Sequence, residues 1–142
     1  MMNNTLPKLK YDSYMRSRGR PALFVLSCAS CLSYLMSYQK DGQGPLLRCY
    51  LDRIHHPKNL EARQYGAFDE KISPQLTCST CHAVIGVPMI YKKENRPAYH
   101  MIPGTFRAKK IDLFKLRMKA FFKAILNFFR GKIHFEKGGR RA

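Results

Sequence analysis

Residues 78–82 read CSTCH, and residues 28–31 read CASC. How these two stretches are read decides the fold. Taken alone, CSTCH matches the signature that tethers a c-type haem, a redox dithiol, and one half of a zinc site. A C-x-x-C turn puts two sulfurs on one side of a tight loop and fills half of a tetrahedron. Two such turns fill all of it, and thiolates suit Zn²⁺ because the ion is borderline-soft and their charge offsets its own. Haem attachment would use Cys78, Cys81 and His82 with Met89 or Met101 opposite, and would leave the first pair without a role. A redox dithiol opens a helix in a β-α-β setting, whereas both pairs here precede β-prone runs. We therefore expect one structural Zn²⁺ per chain on Cys28, Cys31, Cys78 and Cys81. Haem, a redox pair and two unrelated cysteine pairs remain the alternatives, with His55, His56 and His100 as substitute ligands.

Working outward, residues 22–27 form a short apolar run that enters the first pair. The stretch YLMSYQKDGQGPLLRCYLDRI, residues 34–54, holds Asp41-Gly42 and Gly44-Pro45 between two β-prone runs and reads as a hairpin. On its second strand Leu47, Cys49 and Leu51 share one face, so Cys49 reads as a buried core thiol. Residues 55–77 read as a loop or short helix. After the second pair, AVIGVPMIY and AYHMI read as strands joined by a turn at KKENRP. Pro88 marks the first of these as an edge or bulged strand. A two-cysteine turn followed by a hairpin thus occurs twice. Asp52 with Arg53, and Glu94 with Arg96, are neighbours that read as hairpin salt bridges.

The net charge is +17 and its placement is uneven. Residues 1–20 carry five Lys/Arg against one Asp, residues 21–106 nine against six, and residues 107–142 twelve against two. The expected organisation is a basic arm (1–20), a zinc-binding β domain (21–106), and a basic amphipathic helix with a tail (107–142). The middle segment is small enough to gain from a metal staple. In residues 109–132, KKIDLFKLRMKAFFKAILNFFRGK, Pro is absent and Gly131 reads as a helix stop. Helical spacing places Phe121 and Ile125 on an apolar arc with four further Phe, flanked by Lys119 and Lys123, with Lys115 near its edge.

The stretch PALFVLSCASCLSYLM, residues 21–36, is broken by Ser and Cys and lacks a cleavage pattern. No run approaches the length of a membrane span. A cytoplasmic location is the expectation, and five cysteines in a reducing compartment favour metal or redox chemistry over disulfides.

The two cysteine pairs, YQKDGQGPLLRCYLDRI and IGVPMIYKKENRPAYHMIPG resemble a group of small bacterial zinc-ribbon-like proteins over residues 22–106. More distantly, the arrangement resembles the zinc fold of methionine sulfoxide reductase B and the formaldehyde-activating glutathione enzymes. The resemblance implies a structural zinc and a β-rich sandwich, and carries no catalytic residue across.

The fold expected is mainly β, a small zinc-ribbon-like domain of hairpins with a C-terminal amphipathic helix. A closed four-thiolate site leaves no open position for substrate, and no nucleotide-binding or hydrolase motif is present. The function expected is a non-catalytic module that docks on an acidic partner. RNA or the ribosome comes first, with Lys92, Lys93 and Arg96 as a phosphate clamp and Tyr34, Tyr38, Tyr50, Tyr91 and Tyr99 available to stack on bases. The alternatives are an anionic membrane surface or a protein groove reached through Lys115, Lys119, Lys123, Phe121 and Ile125, and an enzyme on a β-rich zinc fold.

Overall fold

The computed structural model describes the backbone of residues 8–139 and the side chains of residues 8–130; residues 1–7 of the basic arm and the end of the tail lie outside the described residues. The chain is mainly β, with eight strands in two antiparallel four-stranded sheets and a C-terminal helix. It divides into two compact units, one of Pro7–Ile111 and one that contains the helix.

In the first unit, α1 (Ser13–Arg18) is capped by Asp12, whose carboxylate accepts from the Met15 amide at 3.1 Å. This unit includes α1 and the last strand, which the sequence boundaries at residues 20 and 106 place in the flanking segments. β1 (Pro21–Cys28) and β2 (Tyr34–Asp41) form a hairpin closed by the first cysteine turn. β2 also pairs with β4 (Ile54–His56), and β1 with β8 (Phe106–Ile111), to give the order β4-β2-β1-β8. β5 (Leu76–Thr77) and β6 (Val84–Tyr91) form the second hairpin, closed by the second cysteine turn. β7 (Arg96–Met101) and β3 (Arg48–Tyr50) complete the order β3-β7-β6-β5. Residues between β4 and β5 form α2 (Lys58–Glu61) and a 3-10 turn at Ala62–Tyr65.

The hairpin expected across residues 34–54 does not form. β2 and β3 lie in different sheets, and the Asp41–Pro45 turns carry the chain from one to the other. Gly42 is needed there: its φ is +81°, and a Cβ would sit 2.3 Å from the Arg18 carbonyl oxygen. Leu47, expected inside, is 53% exposed, while Cys49 and Leu51 are fully buried as expected. Pro88 pairs with Tyr99 on one side, and β5 is too short to reach it on the other. Proline's missing amide is therefore no loss to the ladder at that position.

The core is shared by the two sheets. Leu26, Met36 and Ile54 meet Leu51, Leu76, Ile85, Tyr99 and Met101, and this burial is the main driving force of the fold. In the second unit, α3 runs Leu113–Gly139. The helix expected over 109–132 therefore begins later, because residues 109–111 are claimed by β8, and it passes through Gly131 rather than stopping there. Among the described residues no helix is long and apolar enough to cross a membrane.

Candidate metal centre

Both cysteine turns are built alike, atom for atom along the backbone. The Leu32 amide donates to the Cys28 carbonyl at 2.9 Å, and the His82 amide to the Cys78 carbonyl at 2.9 Å. The Cys28 amide donates to the Ser33 carbonyl and the Cys78 amide to the Ala83 carbonyl, again at 2.9 Å. Each turn is preceded by a register shift, between Leu26 and Ser27 and between Leu76 and Thr77. Cys28 and Cys78 follow buried Leu26 and Leu76 by two residues and are fully buried, while Cys31 and Cys81 reach the surface.

The turn closes only if the residue after the second cysteine is left-handed. Glycine suits that conformation best, yet Leu32 stands at φ 64° and His82 at φ 63°. Both side chains are exposed, so the conformation is held by the backbone bonds around it rather than by side-chain packing.

The four sulfurs lie within 4.8 Å of one another. Cys28 Sγ is 3.6 Å from Cys81 Sγ, and Cys31 Sγ is 3.5 Å from Cys78 Sγ. These are contacts between the turns, far too long for disulfides. They approach the edge of about 3.8 Å that a tetrahedron has when each sulfur lies 2.3 Å from a central zinc. The donor set, its number and its spacing therefore fit one tetrahedral metal ion. Held there, the ion would supply charge neutralisation and a cross-link between β1–β2 and β5–β6.

Ser33 was not marked by the sequence pattern. Its hydroxyl lies 3.2 Å from Cys78 Sγ and 2.9 Å from Cys31 Sγ, so the first turn lends a donor to a sulfur of the second. That hydrogen bond, together with the Cys81 and Thr80 amides, lowers the Cys78 thiol to about 5. Cys81 behaves oppositely: against the lowering pull of the Ala83 amide, its contacts with the Cys28, Cys31 and Cys78 sulfurs push it up to about 12. Without a metal the cluster favours a thiolate at Cys78 and retains the proton on Cys81. Only a serine or threonine just past a C-x-x-C would have signalled this role, and Ala83 at the equivalent place cannot fill it.

The remaining candidates divide. Cys49 is buried away from the cluster, and burial pushes its thiol up. His82 is exposed and serves the turn through its backbone. His56 hydrogen-bonds the Tyr34 hydroxyl at 3.0 Å, and no histidine joins the sulfur cluster among the described residues. Lys92 and Lys93 are exposed at the β6–β7 turn. Arg96 turns inward instead: it is buried, bound to Asp52 at 2.7 Å and Glu94 at 2.9 Å, and sandwiched between the Tyr14 and Tyr50 rings at 3.9 Å each. Of the three residues expected to form a clamp, Lys92 and Lys93 are exposed, whereas the Arg96 guanidinium is already engaged by Asp52 and Glu94. Of the five stacking tyrosines, Tyr38, Tyr50 and Tyr99 are core residues and Tyr34 is exposed. Within its own unit α3 leaves Lys115, Lys119, Lys123 and Phe121 exposed and Ile125 half-buried.

Comparison of the chain with protein-family models, with curated proteins and with solved structures finds no match.

Proposed function

We propose that this chain is a non-catalytic binding module built around one structural Zn²⁺ on Cys28, Cys31, Cys78 and Cys81, and that it docks on an anionic surface. The observation that carries the metal is the gathering of four sulfurs, from two hydrogen-bonded turns of identical build, within 4.8 Å. Four thiolates complete a tetrahedron and leave no position for substrate, which favours a structural role over a catalytic one. The turns that hold the ligands also end two separate hairpins, so a metal here would join the two sheets.

The docking element we favour is α3. Within its unit Phe114, Phe121, Phe122, Leu126 and Phe129 are exposed beside exposed Lys115, Lys119 and Lys123. Apolar bulk with flanking cations suits the headgroup region of an anionic membrane, where the rings enter and the lysines meet phosphate. RNA or the ribosome is the second reading. It is supported by the total charge and by Lys92 and Lys93, and weakened by the burial of three of the five tyrosines meant for stacking.

One experiment separates these. The purified full chain is assayed for zinc, then for retention on anionic liposomes and on RNA across a salt series. About one zinc per chain and liposome binding that Phe121→Glu with Ile125→Glu abolishes support the proposal. Retention on RNA alone, falling steeply with salt, transfers it to the second reading. A chain without metal removes its basis.

A further inference from the structure

At the end of the β unit away from the sulfurs, a half-open cleft of about 220 Å³ lies against β2 and β3. Arg18, Lys40 and Arg48 line it, with Asp41 as the one carboxylate among its lining residues. Asp41 is already engaged, accepting from Arg53 at 2.9 Å and from Gln39 at 2.8 Å. Two guanidinium groups converge on a single neutral oxygen there: Arg18 Nη2 and Arg48 Nε each donate to the Tyr50 hydroxyl at 3.2 Å. Arg18 has Glu94 as a partner. Among the described residues no carboxylate lies within ion-pair distance of Lys40 or Arg48. Lys40 donates to the Gly42 carbonyl, and Arg48 is fixed by stacking on the Tyr91 ring at 4.2 Å. Burial in this wall lowers the Lys40 ammonium below its ordinary value.

Arg18 shares its charge with Glu94, while Lys40 and Arg48 present theirs to the cleft without a described carboxylate in ion-pair distance. Two forked donors and an ammonium match the charge and the several acceptor oxygens of a phosphate group. The same cleft has an apolar side. Leu46 is half-buried, with one side packed against the core, and Leu47 stands exposed beside it. An organic group next to the phosphate would cover both.

We propose that this cleft binds the phosphate group of a small organic phosphate, with Arg18, Lys40 and Arg48 on the oxygens and Leu46 and Leu47 against the organic part. The site is independent of the metal centre, and zinc content serves as the control that keeps the two apart.

The test titrates inorganic phosphate and phenyl phosphate into the zinc-loaded full chain and follows amide chemical shifts. Saturable shifts over residues 40–48 are expected, with phenyl phosphate binding more tightly than inorganic phosphate. Lys40→Gln with Arg48→Gln should weaken binding about tenfold or more, with zinc content and circular dichroism unchanged. Arg107→Gln with Lys109→Gln, on the far edge strand β8, should leave it intact. Equal weakening by the β8 pair would show general charge attraction and overturn the site, as would shifts that never saturate or that fall elsewhere. This shift map of the unaltered chain decides the matter even if the double variant fails to fold. A 5′-phosphorylated oligonucleotide is tested against its unphosphorylated form: dependence on the terminal phosphate supports the site, and indifference to it overturns it.

Discussion

The two ends of the β unit are fastened by opposite chemistries. In the β1–β2 hairpin, Ser27 faces Tyr34 at the sulfur end and Pro21 faces Asp41 at the other. In the second sheet, β6 starts beside Cys81 and ends at Tyr91, opposite Arg96. Four soft thiols from two local turns thus close one end of both sheets. Arg18, Arg53 and Arg96, with Asp12, Asp41, Asp52 and Glu94, close the other. The first would become a covalent-like cross-link on binding an ion from outside. The second needs nothing, but its parts are worth little unless all are present, since a buried charge without its partner is costly.

Removing a ligand should be the largest perturbation of this pair. Binding to a four-thiolate site contributes on the order of 10 kcal/mol to folding. Cys28→Ser or Cys81→Ser should therefore lose the metal and unfold or aggregate, as seen by metal analysis and circular dichroism. Cys49→Ser should keep its zinc. Full metal content in the Cys28 variant would break the assignment.

At the charged end the equivalent is Arg53, 1% exposed and bound to Asp12 at 2.5 Å and Asp41 at 2.9 Å. Arg53→Met strands two carboxylates and should cost about 3–5 kcal/mol in denaturant unfolding, with zinc still bound. A loss below about 1 kcal/mol would put the network among surface ion pairs of little worth.

These two ends were unequally legible in the sequence. The sulfur cluster is encoded locally: the spacing Cys28–Cys31 and Cys78–Cys81 carries half the geometry in each turn, and the β-prone flanks supply the hairpins. The ion-pair network is non-local. The neighbours Asp52–Arg53 and Glu94–Arg96 stood out, and Glu94 does pair with Arg96, but other contacts run across the fold, from Arg53 to Asp12 and Asp41, from Arg96 to Asp52 and from Arg18 to Glu94. No pattern within a few residues announces those. The same limit explains the missed hairpin, because Asp41-Gly42 and Gly44-Pro45 say that the chain turns and are silent on which strand it meets next.

A smaller effect probes the asymmetry within the sulfur end. Ser33→Ala removes the hydroxyl beside Cys78 and Cys31. Outer-shell partners of this kind are worth about tenfold or more in metal affinity, which chelator competition reads directly. An unchanged affinity would mean that Ser33 contacts sulfur only in the metal-free cluster.

Acid should distinguish the ends by sign and window. The Arg53 hydrogen bond holds Asp12 at about 2, below the ordinary carboxylate value. A depressed carboxylate contributes stability that is present above its unfolded pKa, near 4, and is lost as pH falls through about 2. Asp12→Asn should therefore cost stability at pH 7, and the gap to the parent chain should close between about pH 4 and pH 2. The Asp12 side chain is 40% exposed, so after discounting for solvent the gap is about 1 kcal/mol. A gap that persists unchanged at pH 2 would show that the ionised Asp12 carboxylate is not its source, since asparagine caps the helix as well as aspartate does.

The finest comparison uses the backbone. Leu32 and His82 hold φ near +64° and +63°, and Asn95, at the charged end of β6–β7, holds +49°. A left-handed leucine or histidine carries strain of about 1 kcal/mol that glycine does not. Glycine also has more freedom to lose on folding, which returns part of the gain. Leu32→Gly removes a side chain that is already 62% exposed, so little burial is forfeited. Leu32→Gly and His82→Gly should each stabilise the zinc-loaded chain by a few tenths of a kcal/mol, and by similar amounts if the two turns are equivalent. Asn95→Gly should gain less, because asparagine enters the left-handed region with little strain. Denaturant midpoints at saturating zinc measure all three. A stabilised Leu32 variant beside a destabilised His82 variant would show that the imidazole does something at the second turn that leucine does not at the first, and the two turns would then be alike in backbone only.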